Sequence, residues 1–258
     1  MHTLEEYIKM AGNAVDTIAC PAGRNPEGLY KPIVYGLEQG GKRLRPVILL
    51  AACDAVGGDS AKALPQAAAI EMYHNFTLLH DDVMDKADLR RGKPTVCNKW
   101  DDNTAILSGD TMLTLATQLV VDGVESQKAM RLLKEFNETA IGVYEGQQYD
   151  MEFEARTDVT IDEYMEMIRL KTSVLLAGAA RIGAVMGDAD ERNANALYDF
   201  AVNLGLAFQL QDDWLDVYGD PDVFGKAIGG DIMNNKKTYM LINAMQKAEG
   251  ADKEELEF

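Results

Sequence analysis

The sequence predicts an all-α protein, and three observations carry that prediction. Apolar residues recur at helical spacing along most of the chain, whereas no segment alternates convincingly with the period of two that marks a half-buried strand. Ala, Leu, Met, Glu and Lys are abundant, and these residues favour helix. The 7 Pro leave long stretches uninterrupted. We therefore expect a single domain over residues 1–258, built from about ten helices.

Gly-rich and Pro-containing turns divide the periodic segments. Gly pairs at residues 40–41 and 57–58 interrupt the first apolar stretches, and residues 187–190 provide a helix stop followed by an N-cap. Polar loops are predicted at residues 20–26, 86–95 and 220–230. The predicted helices cover residues 2–19, 27–38, 42–56, 61–83, 103–122, 125–153, 161–186, 191–217 and 234–248.

The charge balance excludes several classes of partner. The chain carries 25 Lys and Arg against 42 Asp and Glu, a formal net charge of −17. Nucleic acid is therefore not expected as a partner, because phosphate binding needs a basic face. No apolar run is long enough to predict a membrane span, and the acidic N-terminus does not resemble a signal peptide. The 3 Cys, with no CxxC pair, predict reduced thiols and a cytoplasmic location.

One acidic motif occurs twice. Asp-Asp-x-x-Asp follows an apolar helical segment at residues 81–85 and again at residues 212–216. Positions i and i+4 share a helix face, so the outer acids of each motif stack and repel each other. A cation between them would remove that repulsion, and oxygen ligands without clustered His or Cys favour a hard ion such as Mg²⁺. The candidate metal ligands are Asp81, Asp82, Asp85, Asp212, Asp213 and Asp216.

Basic residues, which are scarce in this chain, gather beside both acid motifs. The motifs themselves lie at the C-terminal ends of their helices, where the helix dipole disfavours anions unless cations bind. If the two helices run parallel and side by side, their acids face each other across a cleft. The pattern then fits two polyanions, one held by metal ions and one by Arg and Lys directly. The basic residues are Lys42, Arg43, Arg45, Arg90, Arg91, Lys171, Lys226, Lys236 and Lys237.

Further motifs complete an ordered series. They are Gly-Lys-Arg-Leu-Arg-Pro at 41–46, Asp-Asp-x-x-Asp at 81–85, Arg-Arg-Gly-x-Pro-Thr at 90–95, Gly-Gln-x-x-Asp at 146–150, Lys-Thr at 171–172 and Gln-x-x-Asp-Asp-x-x-Asp at 209–216. From residue 41 to about residue 238, this series resembles the trans-isoprenyl diphosphate synthases, or polyprenyl synthetase family. It is most similar to the short-chain members that make farnesyl and geranylgeranyl diphosphate. The resemblance implies the isoprenoid synthase class I fold around a deep central cavity, with the family's C-terminal helices missing after Phe258.

The resemblance also implies a Mg²⁺-dependent prenyltransferase. It would condense dimethylallyl, geranyl or farnesyl diphosphate with isopentenyl diphosphate to give a C15–C20 all-trans product. Asp81 and Asp85 would hold two Mg²⁺ and Asp212 a third, supported by the other three acids. Cations at the leaving diphosphate stabilise the transition state as the allylic C–O bond breaks.

The remaining roles come from the resemblance as well. Arg90, Lys171, Lys226 and Lys236 would bind the allylic diphosphate; Lys42, Arg45, His74 and Arg91 would bind isopentenyl diphosphate without metal; Thr172 and Gln209 would face the allylic carbon; and Gln147 and Asp150 would line the cleft.

The apolar stretch before the first acid motif is expected to limit product length. Phe76, Tyr73 and Thr77 lie five, eight and four residues before Asp81, so they fall on or near the helix face that the growing chain follows. An aromatic residue at the position of Phe76, with no insertion in the acid motif, resembles the geranylgeranyl type. The sequence does not exclude farnesyl diphosphate as the product.

Three alternatives compete with this interpretation. A class I terpene cyclase or head-to-head synthase shares the fold but does not need the isopentenyl site implied by Lys42, Arg45 and Arg91. A non-catalytic subunit of a heteromeric prenyl synthase usually lacks an acid motif, whereas this chain has both. A plain divalent-ion-binding helical protein would not need the ordered Arg and Lys motifs. The resemblance further implies a homodimer.

Overall fold

The computed structural model describes residues 1–219, 229–233, 235–250 and 256. Within these residues the regular secondary structure is helical except for one pair of two-residue strands, so the all-α prediction is confirmed. The elements are α1 (Leu4–Ala14), α2 (Glu27–Glu38), α3 (Leu44–Ala55), α4 (Leu64–Met84), β1 (Leu89–Arg90), β2 (Lys93–Pro94), α5 (Val96–Lys99), α6 (Asp102–Val120), α7 (Ser126–Glu154), α8 (Ile161–Ile168), α9 (Val174–Met186), α10 (Glu191–Tyr218), α11 (Gly230–Met233) and α12 (Tyr239–Lys247).

Two compact units make up the chain. Unit 1 comprises residues 1–137 and 178–198, and unit 2 comprises residues 138–177 and 199–258. The single-domain organisation and the central cavity stay predictions. None of the described helices is both long and apolar enough to cross a membrane.

Helix α4 is the central element of unit 1. It packs against α1, α2, α3 and α6, and every residue from 66 to 73 is buried. The buried NH2 group of the Gln66 side chain donates to the backbone oxygens of Val120 and Asp122 at 3.3 and 2.9 Å, so this donor is satisfied. The first acid motif therefore forms the C-terminal end of a helix that four neighbouring helices hold in place.

The core of unit 2 surrounds the helix pair α8 and α12. Phe153, Tyr164, Met167 and Ile168 are buried together with Ile242 of α12. Two residues of α10, which carries the second acid motif, pack against the same cluster: they are Leu206 and Leu210. The second motif is therefore anchored through the apolar residues that precede it.

Three local features differ from the predicted segments. The predicted helices 2–19 and 161–186 each contain a π-helical turn, at Val15–Ala19 and Arg169–Ser173. A single inserted residue leaves the apolar periodicity nearly unchanged, so the sequence pattern could not reveal it. The predicted loop 86–95 contains the β1–β2 pair, and α5 follows it. Most of the predicted loop 220–230 lies outside the described residues.

Candidate active site

A two-residue hairpin positions the basic pair that follows the first acid motif. Leu89 pairs with Pro94 and Arg90 with Lys93, which leaves Arg91 and Gly92 as the turn. Both turn residues have positive φ, 53° and 74°, as a type I′ turn requires. The Arg-Arg-Gly sequence is thus explained by backbone geometry as well as by charge, since Gly92 meets the left-handed requirement at no steric cost.

Arg90 binds the middle acid of the first motif. Its Nε and Nη2 both donate to Oδ1 of Asp82 at 2.8 Å, and the Asp82 side chain is only 4% exposed. Burial raises the pKa of the Asp82 carboxyl, and the Arg90 guanidinium opposes that rise. Asp81 is partly exposed and Asp85 is exposed. The outer two acids of the motif are therefore the ones presented toward solvent.

Arg91 joins the hairpin to the Gly-Gly loop before α3. Its Nη1 donates to the backbone oxygen of Gly40. A Cβ at Gly41 would lie 2.9–3.0 Å from the Arg91 guanidinium, and the φ of Gly41 is 139°. A side chain at position 41 would therefore displace Arg91, which gives a steric reason for glycine there.

Arg45 and His74 form another contact among the basic residues of unit 1. Arg45 Nη1 lies 3.1 Å from His74 Nε2. Because a guanidinium only donates, Nε2 accepts and the imidazole proton lies on Nδ1. Burial, followed by the charges of Arg45, Arg91, Arg90 and Arg43, holds the pKa of His74 well below its usual value of 6.5. His74 is therefore neutral and extends a cationic site without adding charge.

Lys42 differs from its neighbours. It is exposed, and within the described part of the chain its side chain makes no hydrogen bond or ion pair. Arg43, in contrast, pairs with Glu71 at 2.5 Å. Sequence analysis missed Glu71, because a lone Glu inside an Ala-rich helix carries no signal until its burial is known.

In unit 2, two lysines form ion pairs with one buried acid, Asp150. Lys171 and Lys236 lie 2.6 and 2.9 Å from Oδ2 of Asp150, and Lys236 also contacts Glu154 at 2.6 Å. Burial by itself would raise the pKa of Asp150, but the two ammonium groups outweigh it and the pKa is lowered. The structure thus brings together two of the predicted diphosphate ligands. Lys237 has a different partner and donates to the backbone and side-chain oxygens of Asn235.

A π-helical turn places Lys171 and Thr172. The turn spans Arg169–Ser173, and its backbone packs directly on Gly146 of α7: a Cβ there would lie 2.2 Å from Lys171 N. Thr172 Oγ1 donates to Gln209 Oε1 at 3.0 Å. The Gly of the Gly-Gln motif is therefore required for close helix packing, a reason the sequence motif alone did not supply.

The middle acid of the second motif also turns inward, toward neutral donors. Tyr164 Oη donates to Asp213 Oδ2 at 2.5 Å, and Gln209 Nε2 donates to Oδ1 at 2.9 Å. Burial raises the pKa of Asp213, and these two hydrogen bonds oppose the rise. Asp212 is partly exposed, whereas Asp216 is buried. Tyr164 was missed by sequence analysis, since it reads as an ordinary core residue of α8.

A cavity of about 110 Å³ opens beside these residues in unit 2, enough for a few water molecules or a small anion. Its lining includes Lys171, Thr172, Gln209, Lys236 and Thr238. Four of the predicted substrate ligands therefore share one cavity. Lys226, another predicted ligand, lies outside the described residues.

The acid motifs fit a metal ion that takes only part of its ligands from the protein. Among the described residues, no three Asp, Glu, His or Cys side chains converge closely enough to hold an ion by themselves. Mg²⁺ commonly takes one or two carboxylates and completes its octahedral shell with phosphate oxygens and water. Oxygen-only ligands at two helix ends match that mode of binding.

Aromatic rings line the buried face of α4 before the first motif. Tyr73 and Phe76 are 0% and 5% exposed, with ring centroids 5.4 Å apart. The series continues from Phe76 to His80 at 4.8 Å and from Tyr73 to Phe136 at 5.3 Å. Thr77 is partly exposed and donates to the backbone oxygen of His74 at 2.8 Å. Sequence analysis missed Phe136, because it lies on another helix.

Comparison with known proteins places these features in one family. Residues 26–258 match the profile of the family described as polyprenyl synthetase. A geranylgeranyl diphosphate synthase of Methanosarcina mazei is 43% identical over 250 residues, 95% of this chain and 76% of that protein. A crystal structure of a geranylgeranyl pyrophosphate synthase is 47% identical, with a TM-score of 0.94 over 100% of this chain and 77% of the other.

A third similar protein was crystallised with ligands. It is the polyprenyl synthase of Caulobacter crescentus, solved in complex with calcium and isoprenyl diphosphate. It is 29% identical to this chain, with a TM-score of 0.84 over 98% of this chain and 83% of the other.

Proposed function

The chain belongs to the polyprenyl synthetase family and is a short-chain prenyl diphosphate synthase, hence a transferase; we propose that it joins an allylic diphosphate to isopentenyl diphosphate in a Mg²⁺-dependent reaction. The proposed allylic substrates are dimethylallyl, geranyl and farnesyl diphosphate, and the proposed product is an all-trans C15–C20 diphosphate. Members of the family use divalent metal ions. The oxygen-only acid motifs favour Mg²⁺, and the family resemblance implies about three ions per site.

One observation carries the two-substrate proposal: the cations form two clusters with different partners. In unit 1, Arg45 contacts the neutral His74, and its buried Nε finds no acceptor among the described residues. In unit 2, Lys171 and Lys236 share Asp150. A buried guanidinium nitrogen without an acceptor favours an added anion. Two such clusters suit two diphosphates.

The proposed residue roles are those that the family resemblance implies. Lys42, Arg45, His74 and Arg91 bind isopentenyl diphosphate by direct hydrogen bonds. Arg90, Lys171, Lys226 and Lys236 bind the allylic diphosphate. Asp81, Asp85 and Asp212 are metal ligands, supported by Asp82, Asp213 and Asp216. When bound, the metal ions neutralise the charge that develops on the leaving diphosphate.

The chain's own groups then act on binding and orientation. Lys171 and Lys236 hold the diphosphate as the allylic C–O bond breaks and its electron pair leaves with oxygen. Thr172 Oγ1 and Gln209 Oε1 are hydrogen-bonded to each other at 3.0 Å. These two oxygen atoms face the resulting cation. The double bond of isopentenyl diphosphate supplies the electrons of the new C–C bond. A proton then leaves to the released diphosphate, so no side-chain nucleophile is needed.

Phe76 and Tyr73 are proposed to set the product length. Their buried, mutually packed rings support a barrier along α4. Phe76→Ala should lengthen the product by at least one C5 unit, because removing the ring opens space along the helix. Chromatography of the products measures this, with Thr77→Ala as a control that removes only two small groups. An unchanged product would exclude Phe76 as the barrier.

A product assay tests the proposed reaction. The enzyme is incubated with labelled isopentenyl diphosphate and each allylic diphosphate, with Mg²⁺ or with EDTA. We expect a longer labelled diphosphate with Mg²⁺ and none with EDTA. A hydrocarbon without incorporated label would instead identify a cyclase. A cytoplasmic location, which the 3 free cysteines support, and a homodimer complete the proposal.

A further inference from the structure

Arg43, the middle cation of the Gly-Lys-Arg-Leu-Arg-Pro motif, points into unit 1. Its Nη1 donates to Glu71 Oε1 at 2.5 Å, and its Nη2 donates to the backbone oxygen of Leu37 at 2.8 Å. The side chains of Arg43 and Glu71 are only 10% and 3% exposed. The charge of Arg43 is therefore neutralised inside the protein, unlike that of exposed Lys42.

Arg43 is the cationic partner of the buried Glu71 carboxylate. Within the part of the chain that the structure describes, the other hydrogen bond to its carboxylate is a longer one, from Asn75 Nδ2 to Oε1 at 3.2 Å. The same Asn75 nitrogen also donates to the backbone oxygen of Glu71, at 2.8 Å. A buried carboxylate that loses its charged partner is strongly unfavourable. Arg43 and Glu71 therefore form one ion pair, and loss of either partner leaves the other charge buried without compensation.

The backbone around Arg43 needs such an anchor. Arg43 adopts a left-handed conformation with φ 51°, which is unfavourable for a residue with a side chain. Gly40 and Gly41, just before it, also have positive φ, 79° and 139°. Arg43 is the N-cap residue of α3 and makes no side-chain capping hydrogen bond. Its bonds to Glu71 and Leu37 are thus the side-chain contacts that fix this turn.

Two residues of α4 hold two arginines of the same short segment. Glu71 and His74 lie one turn apart on α4; Glu71 binds Arg43 and His74 contacts Arg45. Burial lowers the pKa of both Arg45 and Arg91, and the negative charge of Glu71 opposes that fall. The segment before α3 is therefore aligned against one face of α4.

We propose that Arg43 and Glu71 are positioning residues for the isopentenyl diphosphate site. Arg43 binds Glu71 and not the substrate, and this pair fixes the left-handed turn that sets the directions of Lys42 and Arg45. The proposal rests on the proposed function, because Lys42 and Arg45 are taken to bind that diphosphate.

A double-mutant cycle tests the pair. The four proteins are the parent, Arg43→Gln, Glu71→Gln and the double variant, which removes one positive and one negative charge together. We expect Arg43→Gln to lower Tm and to raise KM for isopentenyl diphosphate about tenfold. KM for the allylic substrate should change less than about twofold, since only one diphosphate site is disturbed. The double variant should return to within about threefold of the parent KM.

Lys42→Gln is the matched control. Lys42 is adjacent and exposed, so this change should raise KM for isopentenyl diphosphate while leaving Tm unchanged. If the double variant regains its Tm but keeps the high KM of Arg43→Gln, then Arg43 is a substrate ligand and the proposal is wrong. If Arg43→Gln does not fold, Arg43→Lys replaces it: a single ammonium cannot reproduce both bonds, so an unchanged Tm would overturn the proposal.

The Tm measurements separate this proposal from the proposed function. They are made without substrate, so they report the coupling between Arg43 and Glu71 even if the parent shows no condensation. A parent that does not incorporate isopentenyl diphosphate contradicts the proposed function. Independent, additive effects on Tm contradict the pair, even in an active enzyme.

Discussion

The two units hold their cationic groups by different means. In unit 1, arginines at the start of α3 and in the β1–β2 hairpin are fixed by side-chain bonds: Arg43 to Glu71, Arg45 to His74 and Arg90 to Asp82. In unit 2, Lys171 lies on a π-helical turn whose backbone packs against Gly146. Unit 1 thus depends on side-chain bonds to its arginines, whereas unit 2 adds close backbone packing to the pairing of Lys171 and Lys236 with Asp150. The first should be sensitive to loss of charge and the second to added volume.

The acid motifs differ in the same way. Asp82 accepts two hydrogen bonds from a charged guanidinium, and Asp213 accepts one each from the neutral Tyr164 and Gln209. Hydrogen bonds from charged donors are the stronger kind. In both motifs, however, the middle acid is buried and the first acid is partly exposed. The donors that hold the middle acid thus differ between the two motifs, whereas the partial exposure of the first acid is the same in both.

The largest expected effect tests that shared partial exposure. Asp81→Asn and Asp212→Asn should each lower kcat/KM by about a thousandfold, because each removes a proposed metal ligand at the leaving group. Steady-state assays at several Mg²⁺ concentrations measure the loss, with circular dichroism to confirm folding. A loss for only one of the two would show that the motifs are not equivalent in function.

Added volume should affect unit 2 severely. Gly146→Ala places a methyl group 2.2 Å from Lys171 N, so we expect destabilisation of about 3 kcal/mol together with weaker allylic substrate binding. Gly142→Ala is the control, because its Cβ would meet Val174 at an ordinary 3.4 Å on the same helix. Urea unfolding compares the two. Equal stabilities would mean that the close packing at Gly146 does not matter.

Substitution of the hydrogen-bond donors to Asp82 and Asp213 compares how much each donor contributes to stability. Arg90→Met leaves the buried Asp82 without its guanidinium and should cost about 2–3 kcal/mol. Tyr164→Phe leaves Asp213 with its Gln209 bond and should cost about 1 kcal/mol. Both are measured by urea unfolding without substrate. A larger loss for Tyr164→Phe would reverse the order that the charged and neutral donors predict.

The smallest expected effect concerns Asp150. Its pKa is lowered in the folded protein, so the stability it contributes is fully present above the usual value of 3.8 and is lost as pH falls through the folded value. Asp150→Asn should therefore cost about 1 kcal/mol near neutral pH, a modest amount because both lysines are partly exposed. The deficit should shrink in acid.

Unfolding measured across the acid range tests how the stability deficit of Asp150→Asn depends on pH. Glu145→Gln, on the exposed face of α7, is the control. A deficit for Asp150→Asn that grows as pH falls would contradict the assigned direction of the pKa shift.

The sequence alone determined the helical class, most helix bounds and the residues that carry charge. Periodicity follows from 3.6 residues per turn, so long amphipathic segments such as α7 and α10 are visible without coordinates. The acid motifs and basic runs were equally visible, because their spacing is local. Their order along the chain was enough to identify the family, which the comparisons confirmed.

Only the tertiary structure decided which charges are paired inside the protein. Lys42 and Arg43 are adjacent and alike in the sequence, yet one is exposed and the other is paired with Glu71. Glu71 and Tyr164 gave no sequence signal, and the motif that contains Gly146 did not show its packing role, because these roles depend on contacts with residues far along the chain. Burial and long-range pairing set those roles, and neither is encoded in local spacing.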